Sequence, residues 1–195
     1  MNKFLISAAV AVTALTPSAA IAQAIPAAVI AVVDLERVTS QCNACKTATA
    51  ALRSQVTGLE NRQKALATPL ETEGKAIQAA VNALNGKEPD AALQARAKAW
   101  ETKRQQAAQE VTRQQQQIQR NQQYIQQQVA AKLRPIYQQV MQRRGATVLM
   151  EQGSTLATAS SVDVTNDVLA ALNTAMPTLA TTAPAAPAQQ QPQGR

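Results

Sequence analysis

The residues best placed for chemistry are two cysteines, Cys42 and Cys45, spaced by Asn43 and Ala44 at the start of a long helical pattern. A C-x-x-C pair leaves four chemistries open. In an oxidising compartment the spacing permits a local disulfide, which is the leading reading. Thiol–disulfide exchange also uses this pair at a helix N-terminus, where thiolate is stabilised, but in a βαβ setting that is absent here. Two thiolates are half of a zinc site, with no second pair to complete it. Free or intermolecular thiols are the fourth. The chain has no His, which removes the commonest general base and metal ligand. Asp34, Asp163 and Asp167 stand apart and read as cap and turn residues rather than as an acid–base pair. Neither enzyme activity nor a metal or other cofactor is expected.

The cysteines sit between two kinds of sequence. Ahead of them, Val29 to Asp34 is a short β-branched run that reads as a strand. After them, from Leu52, a heptad runs through Val56, Leu59, Gln63, Leu66, Leu70, Glu73, Ile77, Ala80 and Leu84, the pattern of a coiled-coil seam. Ser40 could cap this helix. Gly58, Pro69 and Gly74 interrupt the seam, and Pro69 removes a backbone donor and should kink the helix. Asn85 to Asp90 breaks the pattern and reads as a hairpin tip, with Gly86 ending one helix and Pro89 or Asp90 starting the next.

The returning helix runs to about Arg143. Its seam is Ala97, Trp100, Arg104, Ala107, Val111, Gln114, Ile118, Asn121 and Ile125, thinner in large apolar residues than the first. Gln fills 17 of the 49 positions from 94 to 142, which marks a solvated helix. Beyond Ile125 the apolar set shifts to Val129, Leu133, Ile136 and Val140. The second arm is the longer, so its excess, with Pro135, must lie beside the base. Thr147–Glu151 and Thr155–Ala159 read as further strands around a Gln152-Gly153-Ser154 turn. Asn166 to Asn173 reads as a short helix with Thr165 as its N-cap.

The fold class is therefore mainly α with a small β body (α+β). A long antiparallel coiled-coil hairpin, residues 46–144 with its tip near 85–90, projects from a short-stranded oligomerisation domain built from 23–45 and 145–176. Residues 1–22 read as a signal peptide, with Lys3, an apolar run from Phe4 to Leu15, and Ala20-Ile21-Ala22 before the cut. This points to a soluble, exported protein of the periplasm. Neither cysteine lies at the cut, so a lipid anchor is not expected. Residues 177–195, rich in Pro, Ala, Thr and Gln, read as a disordered tail.

A base of about 50 residues is marginal alone, and strands with open edges need partners. Several chains sharing one β-core would answer both needs, with Ile30, Val32, Val148 and Met150 as the candidate core. The arm, residues 50–144, carries 15 Lys/Arg against 7 Asp/Glu. Such a surface attracts acidic proteins, an anionic membrane surface or nucleic acid, and export argues against nucleic acid. Keeping exposed helices soluble is the plainer reading of the same charge.

Ile30-Ala31-Val32-Val33-Asp34, the hairpin, and Val162-Asp163-Val164-Thr165-Asn166-Asp167-Val168-Leu169 together resemble the Skp (OmpH-like) family of periplasmic chaperones, over about residues 28–173. The resemblance implies a homotrimer whose arms surround a cavity. It implies an ATP-independent holdase that binds unfolded outer-membrane β-barrel proteins and prevents their aggregation, without catalytic residues. It also implies a link to lipopolysaccharide, for which no residue-by-residue match is found. The cysteine pair is outside the family pattern. Apolar surface left over by the uneven seams, on Leu59, Leu66, Leu70 or Ile77, is a candidate for client contact; the alternative is that close Ala packing uses the seam fully. A structural or adaptor coiled-coil protein of the cell envelope is the other function class.

Overall fold

The structure is a computed structural model describing residues 26–184. The signal-peptide reading of residues 1–22 lies outside them, as do residues 185–195 of the tail. The elements are β1 (Ile30–Val33), α1 (Leu35–Gln41), α2 (Asn43–Ala83), α3 (Ala91–Arg144), β2 (Val148–Glu151) and α4 (Thr165–Ala175), with single 3₁₀ turns at Gln152–Ser154 and Ser160–Val162.

β1 and β2 pair in parallel, Ile30 opposite Val148 through Val33 opposite Glu151. Parallel neighbours need a long crossover, and here the crossover is the whole arm. At about 1.5 Å per residue, the 41 residues of α2 and the 54 of α3 reach roughly 60 and 80 Å. Both run unbroken through their prolines, Pro69 and Pro135. At the tip, Gly86 turns the chain with φ +86°, and the Asp90 carboxylate accepts from Leu93 N–H at 2.8 Å to start α3.

The core lies at the root, not along the arm. The root end of α3 supplies Val129, Leu133, Ile136 and Val140, which pack with Ala31, Val33, Val38, Val168 and Leu172. Polar bonds then tie distant segments. Thr165 Oγ1 accepts from Asp34 N–H at 2.9 Å, Asn173 Oδ1 accepts from Asn43 N–H at 2.9 Å, and Arg144 pairs with Asp167 at 2.6 Å.

Several sequence expectations are corrected. The arm helix α2 is capped by Cys42, not by Ser40. Ser40 lies within α1, which Asp34 caps by accepting from Arg37 N–H. That helix ends at an extended Cys42, so the segment expected as β-body contains a helix. Residues 155–159 form no strand. On the β1 side the sheet is extended by a single bridge from Val32 to Asp163. Thr165 is the first residue of α4 rather than its cap. In the seam, Val56 points outward at 42% exposure and Gln55 takes the inward place. The described part of the tail, residues 177–184, is docked against the arm root.

Asp163 is a hub of the root. Its carboxylate accepts from Thr165 N–H at 2.8 Å and pairs with Arg37 at 3.4 Å. Partial burial pushes its pKa up, but the Thr165 hydrogen bonds and the Arg37 guanidinium outweigh that and hold it below the ordinary aspartate value of 3.8. Its contribution is therefore complete above that value and is lost as pH falls through the lowered one. Asp163→Asn is expected to cost about 1 kcal/mol at neutral pH, with the gap to wild type closing in strong acid. Urea melts across the acid range check this.

Candidate functional site

Two surfaces stand out, one on the sheet and one on the arm. Alternation along β1 and β2 puts Ala31, Val33 and Leu149 on the core side, and Ile30, Val32, Val148 and Met150 on the other. Of these four, Ile30 (46%), Val148 (38%) and Met150 (36%) are exposed. Val32 differs: it is 3% exposed within the single chain, where the bridge to Asp163 passes beside it. Val32 is thus a residue of the protomer's own interior, and the open face rests on the other three.

On the arm, Trp100 lies across α2. Its Nε1 donates to the Leu70 carbonyl at 2.8 Å. Gly74 makes room for the ring, since a Cβ there would sit 3.1 Å from it. Leu66, Pro69, Leu70 and Trp100 line a groove of about 580 Å³ with Glu73 and Lys103 at its edge. Leu59, at 9% exposure, is closed into the seam and is a packing residue, not a free surface. Leu66, Leu70 and Ile77 are half-buried.

Two forked ion pairs cross between the helices and hold their register. Arg62 meets both oxygens of Glu110 at 2.7 and 3.2 Å, and Arg96 meets both of Glu73 at 2.6 and 3.0 Å. The hydrogen bonds hold Glu73 and Glu110 below the usual carboxylate range. Being exposed, these pairs fix alignment more than they add stability. With the Lys75–Glu71 and Arg104–Glu101 pairs they engage four of the arm's seven acidic residues. Lys64, Lys87, Lys98, Lys103, Arg113 and Lys132 have no ion-pair partner among the described residues.

Cys42 and Cys45 are joined by a disulfide. Cys42 is fully buried, and its Sγ accepts from Cys45 N–H at 3.2 Å, so the pair closes the start of α2 where the chain leaves α1. Among the described residues no cluster of His, Cys, Asp or Glu could hold a metal, and no helix is long and apolar enough to cross a membrane. Sequence reasoning missed four carboxamides at the arm root, Gln55, Gln117, Asn121 and Gln128, which hold the chain's own C-terminal segment. The one available signal was Asn121, a polar residue at a seam position.

These features define a class: a two-helix arm, basic on its surface, rising from a small root whose sheet leaves Ile30, Val148 and Met150 exposed on one face. The chain belongs to the OmpH-like outer membrane protein family, whose sequence model matches residues 29–172. Its fold is similar to that of a crystal structure from Caulobacter crescentus CB15, an OmpH-like protein described provisionally as an outer membrane chaperone. The two are 20% identical, with a TM-score of 0.67 over 80% of this chain and 90% of that one. No curated protein matches the sequence.

Proposed function

We propose that the protein is an ATP-independent holdase chaperone of the periplasm. Three copies join through the bare sheet faces, and their arms enclose an unfolded outer-membrane β-barrel protein and keep it from aggregating. The observation that carries this reading is the apolar face of Ile30, Val148 and Met150, exposed at the foot of an arm too thin to have a core of its own. Family membership and the description of the Caulobacter relative support it.

The arm would hold its client by many weak contacts. Half-buried Leu66, Leu70 and Ile77 offer partial apolar surface, each worth a fraction of the roughly 1.5–3 kcal/mol of full burial. Unpaired lysines and arginines draw in acidic segments of the client. The same charge fits an anionic membrane surface or lipopolysaccharide as the place of delivery. The test is to dilute a urea-unfolded outer-membrane barrel protein into buffer containing this protein and no nucleotide. Light scattering is expected to fall steeply, and undiminished aggregation with the folded protein in excess would sink the reading.

A further inference from the structure

After buried Met176, with Leu179 packed against the core, the chain runs back along the arm root and is held there by carboxamides. Gln128 Nε2 donates to the Ala180 carbonyl at 2.9 Å, and its Oε1 accepts from Ala180 N–H at 3.1 Å. One side chain thus pairs with both main-chain groups of one residue, as a neighbouring strand would. Asn121 Oδ1 accepts from Ala183 N–H at 2.8 Å, and Gln117 Nε2 donates to the Ala183 carbonyl at 3.4 Å. From the other helix, Gln55 Nε2 donates to the Thr181 carbonyl at 3.2 Å.

The holding groups are themselves braced. Asn121 is 3% exposed, and its Nδ2 donates to Gln55 Oε1 at 2.8 Å while Gln117 Nε2 donates to its Oδ1 at 2.8 Å. All five bonds to the segment go to peptide N–H and C=O groups. None goes to a side chain, and the two doubly held residues are alanines. A site of this kind recognises extended backbone with small side chains and is indifferent to sequence otherwise.

We propose that this carboxamide cleft is a binding site for extended polypeptide main chain, that residues 177–184 occupy it in cis, and that an unfolded polypeptide displaces them to use it. The second occupant rests on the holdase reading; the first does not. Indifference to sequence suits clients that share only an unfolded backbone. A tethered occupant competes at an effective concentration on the order of millimolar, so it yields to a polypeptide that gains further contacts along the arm.

The test uses the full chain with Ala180→Pro and Ala183→Pro, which removes the two N–H donors and leaves every carboxamide in place. The probe is reduced, carboxymethylated α-lactalbumin, an unfolded polypeptide that is not a barrel protein, in salt high enough to screen the arm. In wild type, the Ala180 and Ala183 amides are expected to exchange at least about tenfold more slowly than in a free peptide of residues 177–184. The double-proline chain is expected to bind the probe about three- to tenfold more tightly than wild type, and adding Gln128→Ala should abolish that gain. Tail amides that exchange at the free-peptide rate would overturn the cis occupancy. Equal probe affinity in the two chains, or no binding to either, would overturn the cleft as a polypeptide site. If the double-proline chain does not fold, Gln128→Ala alone must speed exchange at Ala180, and unchanged exchange overturns the proposal. Failure to hold a barrel protein would count against the holdase reading and leave these outcomes standing.

Discussion

Val148→Asp combined with Met150→Asp is expected to leave the protein helical and folded but to reduce the proposed trimer to single chains. Both side chains point away from the core, and both are exposed in the single chain at 38% and 36%. The protomer's own packing, centred on Val38, Val140, Val168 and Leu172, does not involve them. Assembly through the bare face would bury both carboxylates against apolar neighbours. At about 2 kcal/mol or more for each unpaired polar group, the association constant falls by roughly three orders of magnitude. Sedimentation reads the change in mass, and far-UV circular dichroism confirms the helix content. Val56→Asp and Val81→Asp are the controls. These residues are equally exposed and apolar, at 42% and 40%, but they sit on the arm and should leave the assembly intact. Loss of assembly should carry loss of holding activity with it, because a lone arm encloses nothing.

Leu172→Ala is expected to cost about 3 kcal/mol. Leu172 is fully buried in α4 and belongs to the cluster that gathers β1, α1, α3 and α4. It cannot be relieved by collapse, because its neighbours are pinned from both ends of the chain. Thr165 is bonded to Asp34, Asn173 to Asn43, and Asp167 to Arg144. For a chain of this size such a loss lowers the melting temperature by about 10 °C. Differential scanning calorimetry measures it. A cost under about 1 kcal/mol would mean that the root is held chiefly by something other than this cluster.

Whatever repeats along the arm was legible from the amino-acid order. The heptad from Leu52 to Leu84 and the tip at Gly86 and Asp90 are local signals, and they placed both helices closely. The strands Ile30–Val33 and Val148–Glu151 were legible for the same reason, as compact β-branched runs. What was not legible depends on partners far away in sequence. Helix α1 has 7 residues, too few for periodicity to register, and its end is set where Cys42 turns into α2 opposite Asn173. Thr155–Ala159 has the composition of a strand but forms none, and the place beside Val32 is taken by the bridge to Asp163. Val56 was the obvious seam residue, yet Gln55 turns inward to meet Asn121 at 2.8 Å.

The functional surfaces divide along the same line. Ile30, Val148 and Met150 follow from strand alternation alone. Val32 shares their face by alternation, but it is buried within one chain. Leu59 followed the heptad into the seam, whereas Leu66 and Leu70 were left at a groove because Trp100 lies over Gly74. The carboxamide cleft was hidden for a different reason. Pro, Ala and Thr after Met176 carry no periodic signal, and their order comes from Gln55, Gln117, Asn121 and Gln128 on the arm.

The most direct measurement is the endpoint of the aggregation assay as a titration: light scattering of a diluted, urea-unfolded barrel protein against the concentration of this protein. A cage of three arms should reach full suppression near three chains per client, without nucleotide, and the Val148→Asp/Met150→Asp chain should give no suppression at that ratio. An endpoint at one chain per client, or full suppression by the single-chain variant, would contradict a client held between arms joined at a shared sheet.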